Sequence, residues 1–122
     1  MAIDSFRDLV VWQKAMDLFV AVHLLTRSFP PHERFELTSQ LRRAAGGIHA
    51  NIAEGTGRTH LGDYLRFLSV ARGSVREVES HLEAARRLGY VSDRQLRPIA
   101  KLADEESRML LVLIRRLGGR GR

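Results

Sequence analysis

From Glu33 to Arg58 the chain reads ERFELTSQLRRAAGGIHANIAEGTGR, with apolar positions recurring every third or fourth residue. Leu37, Leu41, Ala44, Ala45, Ile48 and Ile52 fall on one stripe, a spacing that suits a helix and not a strand of period two. Beside it runs a mixed stripe of Gln40, Ala44, Gly47, Asn51 and Glu54. A third stripe of Arg43, Gly46, Ala50 and Ala53 is almost all small. A glycine inside a helix costs about 1 kcal/mol relative to alanine. Close approach of another backbone is the usual offset, because a missing Cβ permits it. The pattern predicts a helix over residues 33–54 that is gripped on more than one side. Gly55 is expected as its left-handed stop, and Gly57 as the turn that follows.

The same period predicts three more helices. The first covers about 9–28, with Ser5 or Asp8 as cap and Leu9, Trp12, Met16, Phe19 and His23 in register. Its run LFVAVHLL, residues 18–25, is apolar all round apart from His23. A helix apolar on every side is buried on every side. Leu18, Val22 and Leu25, with Gly46, Gly47, Ala50 and Ala53, are therefore predicted to form a subunit interface. Phe29-Pro30-Pro31-His32 breaks the chain. A third helix over about 60–88 starts from Thr59 and carries a seam from Leu61 to Ala85. Gly73 is a candidate kink or close contact in it, and Gly89 ends it. Ser92-Asp93-Arg94-Gln95 is a capping box opening a fourth helix over about 93–117, with Pro98 placed in the first turn. Glu106 falls on that helix's apolar seam and is expected to reach solvent or pair with Arg108 or an arginine across the bundle; lining a polar channel in a ring is the further alternative. No strand-period segment competes. The fold expected is all-α: an up-and-down antiparallel four-helix bundle, one domain over residues 1–117, with 118–122 a flexible basic tail.

The apolar segment 9–25 is interrupted by Gln13, Lys14, Asp17 and His23, so it reads neither as a signal core nor as a membrane span. No membrane association and a cytoplasmic location are the expectation. The chain has no cysteine, which excludes disulfides and thiolate metal sites. The formal net charge is +6. Residues 1–58 and 59–91 each carry +1 and residues 92–122 carry +4, so the excess sits at the C-terminal end. Such a surplus suits RNA, DNA or an acidic protein.

Gln40, Asn51, Glu54, Gly55 and Arg58 form a polar group beside the second helix's stripe. Their expected role is structural, since polar groups beside a core must find partners. Arg42, Arg43, Arg58, Arg66 and Arg72, with Arg115, Arg116, Arg120 and Arg122, are the candidates for phosphate contact, because a guanidinium fork matches phosphate oxygens. Aromatic residues free to stack on bases are scarce, which argues for contact with the backbone of a nucleic acid and not its sequence. The five histidines show no metal-ligand spacing, and Gly55-x-Gly57 lacks a dinucleotide fingerprint. No nucleophile–base arrangement is legible. Neither an enzyme, a metal nor a cofactor is expected.

Several motifs stand together in order. These are Phe6-x-x-Leu9-x-x-Trp12, Phe29-Pro30-x-x-Glu33, Gln40-Leu41-Arg42-Arg43-Ala44-Ala45, Asn51-Ile52-Ala53-Glu54-Gly55-x-Gly57-Arg58 and Gly73-Ser74-x-x-Glu77. From Phe6 to about Leu88 the chain resembles the bacterial four-helix-bundle proteins encoded in intervening sequences of large-subunit ribosomal RNA genes. The resemblance implies an up-and-down bundle, a ring-shaped homopentamer and no established enzymatic activity. A more distant similarity is to the accessory protein of diversity-generating retroelements, a basic pentamer that partners a reverse transcriptase and binds nucleic acid. The chain departs from the family pattern at Gly46-Gly47, where a β-branched residue or alanine followed by serine is usual, and at His49, where proline is frequent. The function expected is a non-enzymatic oligomeric assembly module that binds RNA, DNA or a nucleic-acid-processing protein. The alternative is a protein–protein scaffold without nucleic-acid binding.

Overall fold

The computed structural model describes residues 5–118. Four helices make up the bundle: α1 Val10–Thr26, α2 Leu37–Thr56, α3 Leu61–Arg87 and α4 Asp93–Gly118. Short 3-10 turns at Phe6–Asp8 and Pro31–Glu33 precede α1 and α2. Each helix packs on its neighbour in the chain and α1 closes onto α4, which gives an up-and-down ring of helices. The inward stripes meet in one core that includes Leu18, Leu41, Ile48, Ile52, Leu68, Val75, Val78 and Leu110, all with no exposed surface. No helix of the described residues is long and apolar enough to cross a membrane.

The helix starts differ from the sequence expectation, for local reasons. Ser5 caps the turn at Phe6–Asp8 by accepting from the Arg7 amide at 3.1 Å, and Leu9 is extended before α1 begins. Asp8 therefore caps nothing in α1. The second helix begins at Leu37 and not at Glu33, because Pro31 starts a 3-10 turn and Glu36 sits at φ −119°, ψ −106°. Glu33 still serves that helix from outside it: its carboxylate accepts from the Leu37 amide at 3.2 Å and from the Tyr90 hydroxyl at 2.7 Å. Those bonds hold the Glu33 carboxyl below its usual range, the Tyr90 bond contributing most. Phe29, buried, packs on the Tyr90 ring with centroids 5.4 Å apart. The Phe29-Pro30-x-x-Glu33 motif thus ties the start of α2 to the link between α3 and α4.

At the start of α3, His60 and not Thr59 holds the cap position, without a side-chain bond. The end of α3 is as the sequence suggested. Gly89 has φ +80°, its amide reaches the Arg86 carbonyl at 3.0 Å, and the Tyr90 amide reaches Ala85 at 3.0 Å. That pair of bonds is a Schellman ending. The capping box of α4 also forms: the Gln95 amide donates to the Ser92 hydroxyl at 3.1 Å, and the Ser92 amide to the Gln95 side chain at 3.0 Å. Pro98 lies one turn deeper than expected, inside α4. The helix runs through Gly118, so the expected tail begins no earlier than Gly119; residues 119–122 lie outside the described residues.

Two glycines behave differently from the expectation. Gly55 is a buried residue within α2 and forms no left-handed stop; the helix is instead capped by Gly57, whose amide reaches the Glu54 carbonyl at 3.1 Å. Gly73 is exposed on α3, and a Cβ built there meets nothing within 4 Å, so it marks no close contact. Gly73→Ala should consequently stabilise the protein by about 1 kcal/mol, the helix-propensity difference alone. Urea unfolding of the two proteins checks this; a loss of stability would mean that the glycine serves the backbone in a way the helix does not show.

Candidate functional site

The small-residue stripes of α2 are occupied from within the chain. A Cβ at Gly46 would lie 3.4 Å from the Phe19 ring of α1, and one at Gly47 would lie 3.2 Å from the Ser74 hydroxyl of α3. The helix is gripped on two sides, as its glycines predicted, but by its own bundle. Phe19 also meets His23 and His49, with ring centroids 4.4 and 4.9 Å apart. Burial lowers the pKa of both histidines, because desolvation disfavours the imidazolium.

The predicted interface residues need a correction. Leu18 and Val22 have no exposed surface in the single chain; they point into the core with Ala15. Leu25, Gly46, Gly47 and Ala53 are half-buried and Ala50 is exposed. An apolar run of eight residues need not be covered from outside, since two flanking helices and the core already cover most of its circumference. What the bundle leaves uncovered in the run 18–25 is Val20 and Leu24, 48% and 53% exposed and one turn apart. A second apolar feature is a groove of about 370 Å³ between the N-terminal end of α1 and the C-terminal half of α4, with Leu9, Val10, Met109, Val112 and Leu113 in its walls and Arg116 at its rim.

The polar group of α2 divides. Glu54 and Arg58 form an ion pair one turn apart. The Asn51 amide donates to the Gly47 carbonyl at 2.7 Å. Gln40 lies at the other end of the helix, in a shallow hollow with Arg43, Ser74 and Glu77. Gly55 lies under the Tyr64 and Phe67 side chains. No single site gathers them.

The candidate cations also divide. Arg42 donates from Nε to the Thr26 hydroxyl at 2.8 Å, and Arg72 from Nε to the Ser107 carbonyl at 3.1 Å; both tie helices together. Arg58 and Arg66 each lie 4.7 Å from the Phe67 ring centroid, and Arg66 is 3.8 Å from Asp63. Arg43, Arg115 and Arg116 are exposed and make no ion pair among the described residues. Arg120 and Arg122 lie outside those residues. The sequence reading passed over Arg94, Arg97 and Lys101, which α4 presents to solvent. Their spacing of three and four residues was the available signal.

Glu106 neither reaches solvent nor pairs. It is fully buried, both carboxylate oxygens lack a hydrogen-bond partner, and Arg108 instead pairs with Asp104 at 3.0 Å. Desolvation pushes its pKa up to about 8, opposed only by the charge of Lys14. Ser107 beside it is also buried with an unpartnered hydroxyl.

Helix order, short links and a single core define an up-and-down four-helix bundle. Within that class, the profile described as 23S rRNA-intervening sequence protein matches residues 7–112, and the chain belongs to that family. Among solved structures, the chain is similar to a protein of unknown function from the S23 ribosomal protein family of Bacteroides thetaiotaomicron. The two share 26% identity and a TM-score of 0.78, over 86% of this chain and 98% of that one. No curated protein matches the chain.

Proposed function

We propose that the protein is a non-enzymatic assembly module of the cytoplasm, a closed ring of identical bundles that binds nucleic acid or a ribonucleoprotein through its basic surface. The observation that carries this reading is the uneven pairing of charge: Arg42 of α2 and Arg72 of α3 are tied into the bundle, whereas Arg94, Arg97, Arg115 and Arg116 of α4 stand exposed without an ion pair among the described residues. Exposed Val20 and Leu24 supply the apolar surface for assembly, and a ring of five follows the family resemblance. Sedimentation at micromolar concentration should give a mass five times the 13.8 kDa of one chain. A monomer mass would reject the ring. Affinity for an RNA duplex should fall steeply with salt, since bound cations release counterions; undetectable binding at low salt would reject the nucleic-acid role.

The groove between α1 and α4 favours a second reading, a scaffold for proteins without nucleic acid. Partners that stay bound after nuclease treatment and in high salt would support it over the first.

A further inference from the structure

The outward face of α4 carries Arg94, Arg97, Lys101, Arg108 and Arg115, all exposed. At 100° per residue they fall within an arc of about 60°, and at 1.5 Å per residue they extend along about 32 Å of helix. The acidic residues of the same helix do not neutralise the row. Asp93 faces Arg86 at 3.9 Å, Asp104 takes Arg108 at 3.0 Å, Glu105 takes Lys14 at 3.3 Å, and Glu106 is buried. Arg94, Arg97, Lys101 and Arg115 remain without an ion pair among the described residues.

This arrangement works against the helix that bears it. Arg94 is the second residue of α4, where the macrodipole favours an acid. Arg94 with Arg97, and Arg97 with Lys101, are like charges at three- and four-residue spacing, which destabilise a helix. Arg115, in the last turn, suits the macrodipole, but Arg94, Arg97 and Lys101 are exposed and find no ion pair among the described residues, so this part of the row is open to something outside the bundle. No aromatic side chain lies in the row, so it offers cations for a regular line of phosphates and nothing on which bases could stack. A lipid surface would call for apolar side chains among the cations, and only Val112 offers one.

We infer that the outward face of α4, through Arg94, Arg97, Lys101 and Arg115, is the surface that follows the phosphate backbone of a nucleic-acid duplex. This rests on the nucleic-acid reading above and replaces the α2 and α3 arginines as its contact residues.

The test compares three full-length proteins by fluorescence anisotropy with a 20-base-pair RNA duplex at 50 and 200 mM salt. One is the wild type, one carries Arg94→Gln, Arg97→Gln and Lys101→Gln, and one loses the same charge elsewhere through Arg27→Gln, Arg34→Gln and Arg87→Gln. Four phosphate contacts should weaken wild-type binding about a hundredfold between those salts. The α4 variant should bind at least tenfold more weakly at 50 mM and lose most of that salt dependence, with a thermal midpoint no lower than wild type. The charge-matched variant should stay within about threefold of wild type. Equal losses in both variants would reduce the effect to net charge and overturn the inference while leaving the nucleic-acid reading intact. Wild type that fails to bind at 50 mM would overturn both. Tighter capture by phosphatidylserine vesicles than by the duplex, at equal phosphate, would also overturn the inference.

Discussion

Glu106→Leu is expected to stabilise the protein by about 3 kcal/mol at pH 7, and by about 5 kcal/mol above pH 8, through removal of its ionisation cost alone. The reasoning starts from the position. Glu106 has no exposed surface, and neither carboxylate oxygen finds a donor. Its pKa rises from the ordinary 4.5 to about 8. Between those two values the unfolded chain has released the proton while the folded chain still holds it. Stability therefore falls with rising pH across that interval, by about 1.4 kcal/mol for each unit. Below pH 4.5 both states are neutral and this cost is absent; above pH 8 both are ionised and it has reached its limit.

The nearest opposing charge, Lys14, is half-committed to Glu105 at 3.3 Å and only moderates the shift. His23 and His49 act with the opposite sign. Their lowered pKa values destabilise the fold at low pH, so their contribution rises with pH. Comparing wild type and variant at each pH cancels them. Urea unfolding at pH 5, 7 and 8.5 should show the gap widening, with Glu106→Gln as flat in pH as the leucine variant but less stable, because its amide still lacks partners. A gap that stays constant with pH would show that Glu106 is not the group that titrates.

Glu106 also marks where the sequence stops being informative. Helical period places it on the seam between Ala103 and Leu110, and that placement is right. The period says nothing about whether a long side chain there can reach water. This depends on how closely α1 and α3 pack over it, which is a property of the assembled bundle. The run at 18–25 poses the same difficulty in reverse. Composition shows that it is apolar all round, but only the packed fold shows that Leu18 and Val22 belong to the core while Val20 and Leu24 do not. Features fixed by short-range geometry were legible: the Gly89 ending and the Ser92-x-x-Gln95 box involve residues within five of each other. Arginine roles were not, because Arg42 and Arg72 find acceptors 16 and 35 residues away in the chain.

Gly55 shows how far one misread residue can mislead, and it supplies the second large effect. A glycine after Asn-Ile-Ala-Glu reads as a left-handed stop, and at such a stop alanine would be strained by its backbone. The structure gives a different reason for the glycine. The residue is helical and buried, and a Cβ there would lie 2.9 Å from Cδ1 of Tyr64 and 3.0 Å from Cβ of Phe67. The tyrosine ring can swing aside, but Phe67 Cβ is fixed to the α3 backbone, so α2 and α3 would have to separate. Overpacking of this kind costs about 1–3 kcal/mol, against a gain of about 1 kcal/mol in helix propensity for alanine. Gly55→Ala should therefore destabilise by up to about 2 kcal/mol, and Gly55→Val by more, in urea unfolding. Gly73→Ala, with the same propensity gain and open space around it, should move the other way. If both alanine variants are stabilised alike, α2 and α3 are not in the close contact on which this account of the glycine depends. A left-handed stop would instead show itself as a loss in Gly55→Ala that Gly55→Asn largely spares, since asparagine tolerates that backbone and a crowded contact does not tolerate asparagine.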